Sequence, residues 1–391
     1  LNSAEHEKNQ GRKVLNVPNL RFPEFQGEWE KSKLSDLCTF FSGGTPSSSN
    51  KDFYGGDIAF IRSGELHANS TELFITQDGY DNSSAKKVEI GDLLLAMYGA
   101  TSGDIAVSKI RGAINQAILC IRTNQNKKFI ESVWNKHVSK ILRKYLQGGQ
   151  GNLSADIVKG ISFSFPTLEE QERIANLISL LDERIATQNK IIDKLQSLIK
   201  GIVDCTILRK EKNAIVGDVC SISEQIKAEA NIDDIITVRL HGNGVCKSSA
   251  ENLQLGATQY YRRRAGQLIY GKQNFHNGAI GIVPKSLDNG ITSKDIPSFD
   301  IYDVNCNSAY LLAQLQSPQY YKPAEALTTG TGSKRLKEET FLKMPIVLPN
   351  KREQDNIAIL IYRISINLDQ AKKMLDLFSI QKQYLLRQMF I

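Results

Sequence analysis

Side chains of the types that contact DNA gather in a few polar segments of this sequence. In the major groove, arginine and lysine read guanine and asparagine and glutamine read adenine, while lysine, serine, threonine and backbone amides hold phosphates. The candidates in the first half of the chain are Thr45, Ser47, Asn50, Lys51, Arg62, Tyr98, Thr101, Gln147, Gln150 and Asn152. Those in the second half are Arg262, Arg263, Arg264, Lys272, Gln273, Asn274, Lys334 and Arg335. These segments predict hydrogen bonding and ion pairing to a nucleic acid.

Each candidate segment also has a plainer interpretation. The glycine-rich segment 147–152 could be an ordinary helix-to-strand connection, although a similar segment at 329–335 favours a shared role. The run 262–264 could be a solvated basic face, because charge runs commonly keep a surface soluble. The net charge of +7 permits a polyanionic partner without demonstrating one, since no segment of the chain is strongly basic.

Motifs for independent catalysis are missing from the sequence. It contains no Asn-Pro-Pro-aromatic motif of methyltransferases and no phosphate-binding loop, which segment 242–248 only imitates because it lacks the glycine before Lys247. The 6 cysteines form no C-x-x-C pair, and the 5 histidines do not join them at metal-ligand spacing. The sequence therefore predicts a non-catalytic chain that binds no metal or cofactor.

The elements that must position these candidates come from an internal repeat. Segment 166–175 matches segment 349–358, and both read Pro-x-x-x-Glu-Gln-x-x-Ile-Ala. Segments 149–153 and 332–336 match at the same offset of 183 residues. A period this long indicates domain duplication, because solenoid repeats are several-fold shorter. Each half is predicted to be a variable module followed by a helix.

Both predicted helices carry the same start signal and the same apolar seam. Thr167 with Glu170, and Asn350 with Glu353, stand at capping-box spacing. Beyond these caps, apolar residues alternate at spacings of four and three, which is a heptad pattern. The seam comprises Ile174, Ile178, Leu181, Ile185, Ile192, Leu195, Ile199, Ile202, Ile357, Ile361, Ile364, Leu368, Leu375, Phe378 and Leu385, and is interrupted by Lys382.

We expect the two helices to pair as an antiparallel coiled coil, because a seam this long must be covered and the second helix has to run back. The 32 residues from Ile174 to Thr206 would span roughly 48 Å, which corresponds to about 14 base pairs. The alternative is two amphipathic helices that pack into separate domain cores.

The modules themselves read as mixed α and β. Short apolar runs bounded by glycine, serine and asparagine predict strands at 58–61, 92–96, 103–107, 117–121, 235–238, 266–270 and 278–283, and helices at 129–146 and about 307–317. The predicted fold class is α+β, with two mixed α/β domains separated by two long helices that form an antiparallel coiled coil, in an internal pseudo-twofold duplication. The predicted boundaries are 1–17 for a flexible N-terminal extension, 18–165 for the first domain, 166–212 for the central spacer helix, 213–348 for the second domain and 349–391 for the C-terminal spacer helix.

Several segments resemble the specificity subunit of Type I restriction-modification enzymes. They are segment 18–25 with Trp29 and Leu34, the run 43–46, both Pro-x-x-x-Glu-Gln-x-x-Ile-Ala helix starts, and the first-module segments 91–94 and 114–118. The resemblance runs from about residue 18 to residue 391 in the order module, helix, module, helix. The second module departs from the pattern, because Gly266-Gln267 replaces the acidic Gly-Asp form and no clear Asn-Gln strand follows.

The resemblance implies a chain that reads a bipartite double-stranded DNA site, one half per domain, for partners that methylate adenine or cleave DNA. Those partners would be two modification (methyltransferase) subunits and, in the full complex, restriction (motor and nuclease) subunits. They would use S-adenosylmethionine, and ATP with magnesium, whereas this chain would bind no cofactor. A rival from another class is a protein-binding scaffold with two modules on a coiled-coil spacer.

Two further expectations concern the helices and the compartment. Apolar residues beside the seam widen the stripe beyond the need of one partner helix and predict docking of the modification subunits: Leu177, Ile191, Leu198, Leu360 and Tyr384. No run of about 18 apolar residues could span a bilayer, and residues 1–15 lack the apolar core of a signal peptide. The sequence thus predicts a cytoplasmic protein without a membrane partner, associated with the nucleoid when bound to DNA.

Overall fold

The computed structural model describes residues 15–145, 152–248, 258–330 and 334–391. The chain divides into two compact units: unit 1 runs up to Thr187 and adds Met374–Ile391, and unit 2 is Gln188–Lys373. Each unit therefore holds one module and a piece of both long helices. Most of the predicted N-terminal extension, residues 1–14, lies outside the described residues.

Unit 1 alternates short strands and helices before the first long helix. Its elements are β1 (Glu30–Lys33), α1 (Leu34–Leu37), β2 (Cys38–Ser42), β3 (Tyr54–Ile61), β4 (Phe74–Ile75), α2 (Gln77–Asp81), β5 (Lys86–Val88), β6 (Leu93–Ala96), β7 (Ile105–Val107), β8 (Gly112–Ile114), β9 (Ile118–Thr123), α3 (Lys127–Tyr145), α4 (Ala155–Lys159) and β10 (Ser162–Phe165). The first long helix is α5 (Leu168–Val203), which crosses into unit 2.

Unit 2 repeats this outline with shorter elements. After a π-helical turn at Asp204–Leu208, its elements are β11 (Ala214–Ile215), β12 (Cys220–Ile222), β13 (Lys227–Ala228), β14 (Ile236–Val238), β15 (Val245–Lys247), β16 (Tyr260–Arg262), β17 (Leu268–Tyr270), β18 (Ile280–Ile282), β19 (Ile291–Ser293), β20 (Ser298–Ile301), α6 (Ser308–Leu315), α7 (Pro318–Tyr321), α8 (Glu338–Leu342) and β21 (Pro345–Ile346). The second long helix is α9 (Lys351–Met389). The apolar runs that predicted strands and helices are confirmed in both modules.

The first sheet has the same strand order in both modules. Unit 1 contains an antiparallel sheet in the order β2-β9-β6-β7, and unit 2 contains its counterpart in the order β12-β20-β17-β18. Each unit also contains a second sheet, in the order β4-β3-β8-β5 in unit 1 and β13-β16-β19 in unit 2. A tight turn connects β8 of the second sheet to β9 of the first sheet in unit 1, and β19 to β20 in unit 2. The first sheet of unit 1 packs on α3 through Leu93, Leu95, Phe129 and Trp134.

In unit 1 the two long helices pair antiparallel. Ile174 and Ile178 of α5 share one core with Met389 of α9, Asp182 forms an ion pair with Lys382, and the Arg184 guanidinium lies 5.9 Å from the centre of the Phe378 ring. Partner numbers in α9 fall as numbers in α5 rise. The paired ends of α5 and α9 also pack in the core of the module in unit 1. The two helices therefore contact each other and the module in the same core.

Unit 2 contains an antiparallel pair of its own. The Gln188 amide donates to the Ala371 carbonyl at 3.0 Å, and Val203 shares a cluster with Ile357 and Ala358. No predicted seam position is exposed, and even Lys382, which interrupts the pattern, is half-buried. The predicted α+β class, with duplicated modules and antiparallel pairing of the long helices, is confirmed.

The glutamine of the repeated helix start joins each long helix to its module. Gln171 is fully buried; its amide donates to the Pro166 carbonyl at 2.9 Å and its oxygen accepts from the Asn126 N–H at 3.1 Å. Gln354 repeats both bonds, to the Pro349 carbonyl at 2.8 Å and from the Asn307 N–H at 2.8 Å. Asn126 and Asn307 stand at the starts of α3 and α6, so the repeated glutamine fixes the same two elements in both units.

A search of the described residues finds no helix that is long and apolar enough to cross a membrane.

Candidate nucleic-acid interface

A tight turn between β8 and β9 is the centre of the candidate interface in unit 1. The Asn115 side-chain oxygen accepts from the Ala117 N–H at 3.1 Å, and the Ile118 N–H donates to the Asn115 carbonyl at 3.2 Å. Gln116, at the apex, is exposed. The turn is held by its own backbone and by Asn115, which leaves the apex side chain to face outward.

Two predicted contact segments meet this turn. The Thr45 hydroxyl donates to the Gln116 side-chain oxygen. Gly43 lets this segment approach, because a Cβ there would lie 1.8 Å from the Ile114 carbonyl oxygen. Ile61 pairs in parallel with Ile114, so Arg62 follows β3 beside the turn.

Two more segments lie against the other side of the turn. The Met97 N–H donates to the Ala117 carbonyl at 2.8 Å, and the Leu153 N–H donates to the Met97 carbonyl at 3.0 Å. Tyr98 and Asn152 are the neighbours of the bonded residues and are exposed, and Thr101 follows Tyr98 in a short 3-10 turn. The structure thus brings Thr45, Arg62, Tyr98, Thr101 and Asn152 to one end of the sheets.

Other first-module candidates make local bonds on the loop before β3. The Ser47 hydroxyl lies 2.7 Å from the Ser49 hydroxyl, and Asn50 caps a 3-10 turn that contains Lys51. Arg62 is exposed and forms an ion pair with Glu65 at 2.9 Å. Gln147 and Gln150 lie outside the described residues.

Unit 2 builds the same turn from different residues. The Ser293 hydroxyl accepts from the Asp295 N–H at 3.3 Å, and the Ile296 N–H donates to the Ser293 carbonyl at 3.1 Å. Lys294 occupies the apex and is exposed. The Lys272 N–H donates to the Asp295 carbonyl at 2.9 Å, just as Met97 bonds Ala117 in unit 1.

The second glycine-rich segment also reaches its turn. The Leu336 N–H donates to the Lys272 carbonyl at 2.9 Å, and the Arg335 guanidinium donates to the Asp295 carboxylate at 3.2 Å. Gln273 and Asn274 follow Lys272 and are exposed. Residues 331–333 of this segment lie outside the described residues.

Arg263 is a correction to the predicted contacts. Its side chain is fully buried and donates to the Thr292 hydroxyl at 2.7 Å, the Ser298 hydroxyl at 2.9 Å and the Ile296 carbonyl at 2.9 Å. Burial lowers the pKa of Arg263 to about 10. A guanidinium enclosed in this way holds the segment after β19 and cannot reach DNA, whereas its neighbours Arg262 and Arg264 are exposed.

Two further lysines are occupied by neighbouring carboxylates. The Lys272 ammonium lies 2.7 Å from Glu338, and its side chain is 11% exposed, so it is a poor candidate for a direct contact in this structure. Lys334 is 61% exposed and lies 3.4 Å from Glu325. An exposed ion pair of this kind is weak, so the Lys334 ammonium is available to another partner.

The two apex residues were not among the predicted contacts. Gln116 and Lys294 each stand between a turn-forming side chain, Asn115 or Ser293, and the strand that follows. Such side chains commonly bond to the backbone two residues ahead, which is the signal that could have identified the apex positions.

The cysteine thiols are buried in the module cores or lie apart from the interface. Burial raises the pKa of Cys220 to about 12 and that of Cys306 to about 11, so both stay protonated at neutral pH. Among the described residues, no group of three or more histidines, cysteines or carboxylates is placed to hold a metal ion.

The long helices expose an unusual number of apolar side chains outside their seams. Leu180 is 58% exposed and Leu198 50% exposed on α5. Others on the two helices are Ile191, Ile359, Leu360, Tyr362, Ile366, Met374, Leu377, Ile380 and Tyr384. Leu177, one of the predicted flanking residues, is half-buried. Exposed apolar side chains are typical of surfaces that bind another molecule when they form a contiguous patch.

Comparison with known proteins gives a consistent picture. Residues 26–197 match the family model of the Type I restriction modification DNA specificity domain. The chain is 20% identical to the Type I restriction enzyme MjaVIII specificity subunit of Methanocaldococcus jannaschii, over 87% of this chain and 86% of that protein. It is 26% identical to the EcoR124I/EcoR124II specificity subunit of Escherichia coli, over 46% of each.

Solved structures show the same fold. The S subunit of a Type I restriction-modification system from M. genitalium matches with a TM-score of 0.64 at 13% identity, over 96% of this chain and 99% of that one. A chain from a study of complex assembly and conformational transition in the type I R-M system matches with a TM-score of 0.52 at 14% identity, over 92% and 96%.

Proposed function

We propose that this chain is a specificity subunit of the Type I restriction-modification family and that it reads a bipartite DNA site with one half-site per module. The observation that carries this proposal is the repeated turn at residues 115–117 and 293–295. Each turn gathers exposed polar loops at one end of its sheets. One framework with different side chains is what two different half-sites require.

The proposed role is recognition rather than catalysis. Specificity subunits are separate from the catalytic subunits of these enzymes, and we propose that this chain directs such partners to methylate adenine or cleave DNA. S-adenosylmethionine, and ATP with magnesium where a restriction subunit joins, would bind to the partners. The complex would act in the cytoplasm, on the nucleoid.

The exposed apolar residues of the long helices are the proposed docking surface for modification subunits. Because the helices and modules are duplicated, we expect two modification subunits to bind one chain. Restriction subunits would join that core complex.

Mapping of modified bases tests the proposed function directly. Genomes from cells that express this chain with its modification subunit should carry a methylated split motif that cells without the chain lack. If methylation is unchanged although the two proteins bind each other, DNA reading is wrong and the rival protein-binding scaffold gains ground.

The docking surface has its own test. Ile191→Glu with Leu198→Glu should reduce co-purification of the modification subunit at least about tenfold, because charges would replace exposed apolar contacts in a desolvated interface. Asn189→Glu adds one of these charges at an exposed position of the same helix and should change little. Co-purification of the double variant at the level of Asn189→Glu would contradict docking at these residues.

A further inference from the structure

The apex side chains of the two turns are not needed to close the turns. Gln116 and Lys294 are both exposed. In the ranges that the structure describes, neither a hydrogen bond nor an ion pair holds the Lys294 ammonium. Their neighbours are occupied, since Asn115 and Ser293 accept from the turn itself. The apex is therefore the part of each turn that is free to meet a ligand.

The position of the apex is the same in both modules to the level of single hydrogen bonds. Ala117 and Asp295 accept from Met97 and Lys272, at 2.8 and 2.9 Å, one residue beyond the apex. The strands that follow have the same register, because β9 pairs with β6 as β20 pairs with β17. The apex residue differs between the modules, whereas the hydrogen bonds around it are the same.

The two apex side chains share only one kind of chemistry. Lysine is a hydrogen-bond donor and never an acceptor. The Gln116 oxygen already accepts from the Thr45 hydroxyl, which leaves its NH2 group as the part directed to a ligand. Both positions thus offer N–H donors to an acceptor oxygen or nitrogen.

A shared acceptor at the same place in two modules is best supplied by the DNA backbone. As base readers a lysine would favour guanine and a glutamine would favour adenine, whereas a phosphate oxygen is an acceptor that both side chains can take. Phosphate oxygens are present at every step of any sequence and serve to position the protein. The apex of the turn has the same backbone hydrogen bonds in both modules but a different N–H donor, and a contact to a phosphate oxygen tolerates that difference.

We propose that Gln116 and Lys294 are equivalent phosphate contacts, each donating to a phosphodiester oxygen and setting the register of its module on the duplex. This inference rests on the proposed function. It predicts that the apex residues govern affinity for DNA and leave the recognised sequence unchanged.

Binding of the intact chain with its modification subunit to a duplex that carries the mapped split motif tests the inference, by fluorescence anisotropy over a salt series. Lys294→Ala should weaken binding about five- to tenfold and reduce the slope of log affinity against log salt by about 1, because one ion pair with phosphate is lost. Lys294→Arg should keep both. Gln116→Ala should weaken binding about threefold with the slope unchanged, because the lost group is neutral.

Lys285→Ala is the matched control in module 2. Lys285 is exposed and follows Val283, whose carbonyl accepts from Gly266 at the opposite end of β17, so its loss should leave affinity unchanged. A changed methylation motif in either apex variant would overturn the phosphate assignment in favour of base reading. Affinity and slope at wild-type values would overturn it as well. Sequence-independent binding by the wild-type complex would instead defeat the proposed function.

Discussion

Unit 1 and unit 2 start the central strand of their first sheets with the same backbone but opposite side-chain chemistry. Gly91 and Gly266 precede β6 and β17 with φ of 90° and 88°, a left-handed conformation that favours glycine. The next residue is Asp92 in unit 1, paired with Arg122 at 2.8 Å, whereas in unit 2 it is Gln267, which donates to Asp300 at 2.8 Å. The carboxylate thus precedes β6 in unit 1 but lies on β20 in unit 2, and a side-chain contact between the two neighbouring strands is present in both units.

A second exchange lies in the interior of the modules. Arg263 of unit 2 directly follows β16 and is bonded to Thr292 and Ser298. Aligned through the strand registers, the equivalent residues of unit 1 are Val88, Ile114 and Cys120, all fully buried. The three positions are polar together in one unit and apolar together in the other. The framework therefore constrains backbone geometry, and each unit satisfies it with its own matched set of side chains.

Disrupting the buried cluster of Arg263, Thr292 and Ser298 in unit 2 should produce the largest loss of stability. Arg263→Val should lower the free energy of unfolding of that unit by about 3–5 kcal/mol, because it leaves buried hydroxyls without their partner and opens a cavity. Adding Thr292→Ile and Ser298→Cys, which installs the unit 1 set, should recover more than half of the loss. Differential scanning calorimetry measures both variants.

The reverse substitution is the control for this comparison. Val88→Arg would bury a charge among apolar residues of unit 1 and should be at least as damaging. A triple variant no more stable than Arg263→Val would show that the two sets are not interchangeable.

Breaking the shared link between module and helix should have an intermediate and equal effect in both units. Gln171→Ala and Gln354→Ala should each cost about 1–3 kcal/mol, since each leaves a partly buried backbone N–H and a partly buried carbonyl without their partner. Urea unfolding of the two variants measures the costs. Gln196→Ala, at an exposed position of α5, should be neutral. Costs that differ by more than about 1.4 kcal/mol, a factor of ten in the equilibrium constant, would show that the repeated motif has diverged in role.

The smallest effect is expected from the strand-start link, where pH gives the sign. Gln267→Glu would place a carboxylate against Asp300 and should cost about 1–2 kcal/mol at pH 7. Burial and the neighbouring carboxylate raise the pKa of the new acid in the folded state, so the penalty is present at neutral pH and disappears as the pH falls below about 4.3, the unfolded value. Thermal midpoints across this range measure it.

Adding Asp300→Arg to Gln267→Glu recreates the pair of unit 1 and should restore stability at neutral pH. Asp92 itself shows the expected direction: burial alone would raise its pKa, but the Arg122 guanidinium and the Glu89 N–H outweigh burial and lower it. Its contribution to stability is therefore lost as the pH falls through that lowered pKa. A double variant as unstable as the single one would refute the equivalence of the two links.

The regular parts of the fold followed from the sequence because they are periodic. The alternation of fours and threes identified the seam, and each seam position from Ile174 to Leu385 is at least half-buried. The strand runs were bounded by turn-forming residues, which located the strands and the loops between them. The heptad pattern and the repeated cap were sufficient to predict the two long helices, because both can be recognised from residues that are near one another in the sequence.

The interior role of Arg263 could not be inferred in the same way. A run of three arginines is typical of a solvated surface, and partners some thirty residues away, Thr292 and Ser298, meet it only through strand pairing. The strand-start link was hidden for the same reason, since Gln267 has a neutral side chain and its partner lies on β20. Long-range polar matching leaves no periodic trace in one sequence.

The interruption of the seam at Lys382 restricts which helices can associate. In unit 1 Asp182 pairs with Lys382 and lies 2.8 Å from Lys128. At the repeat offset Asp182 and Lys382 correspond to Ser365 and Ile199, and Lys128 corresponds to Ala309 when Asn126 is aligned with Asn307. These three residues of unit 2 line one cleft and carry no charge. A pair made of two copies of α5 would set Asp182 against Ile199 and leave the half-buried carboxylate with Lys128 as its one cation instead of two, which makes that pairing less favourable. The two long helices therefore match each other better than either matches a second copy of itself, and pairs of identical helices are disfavoured.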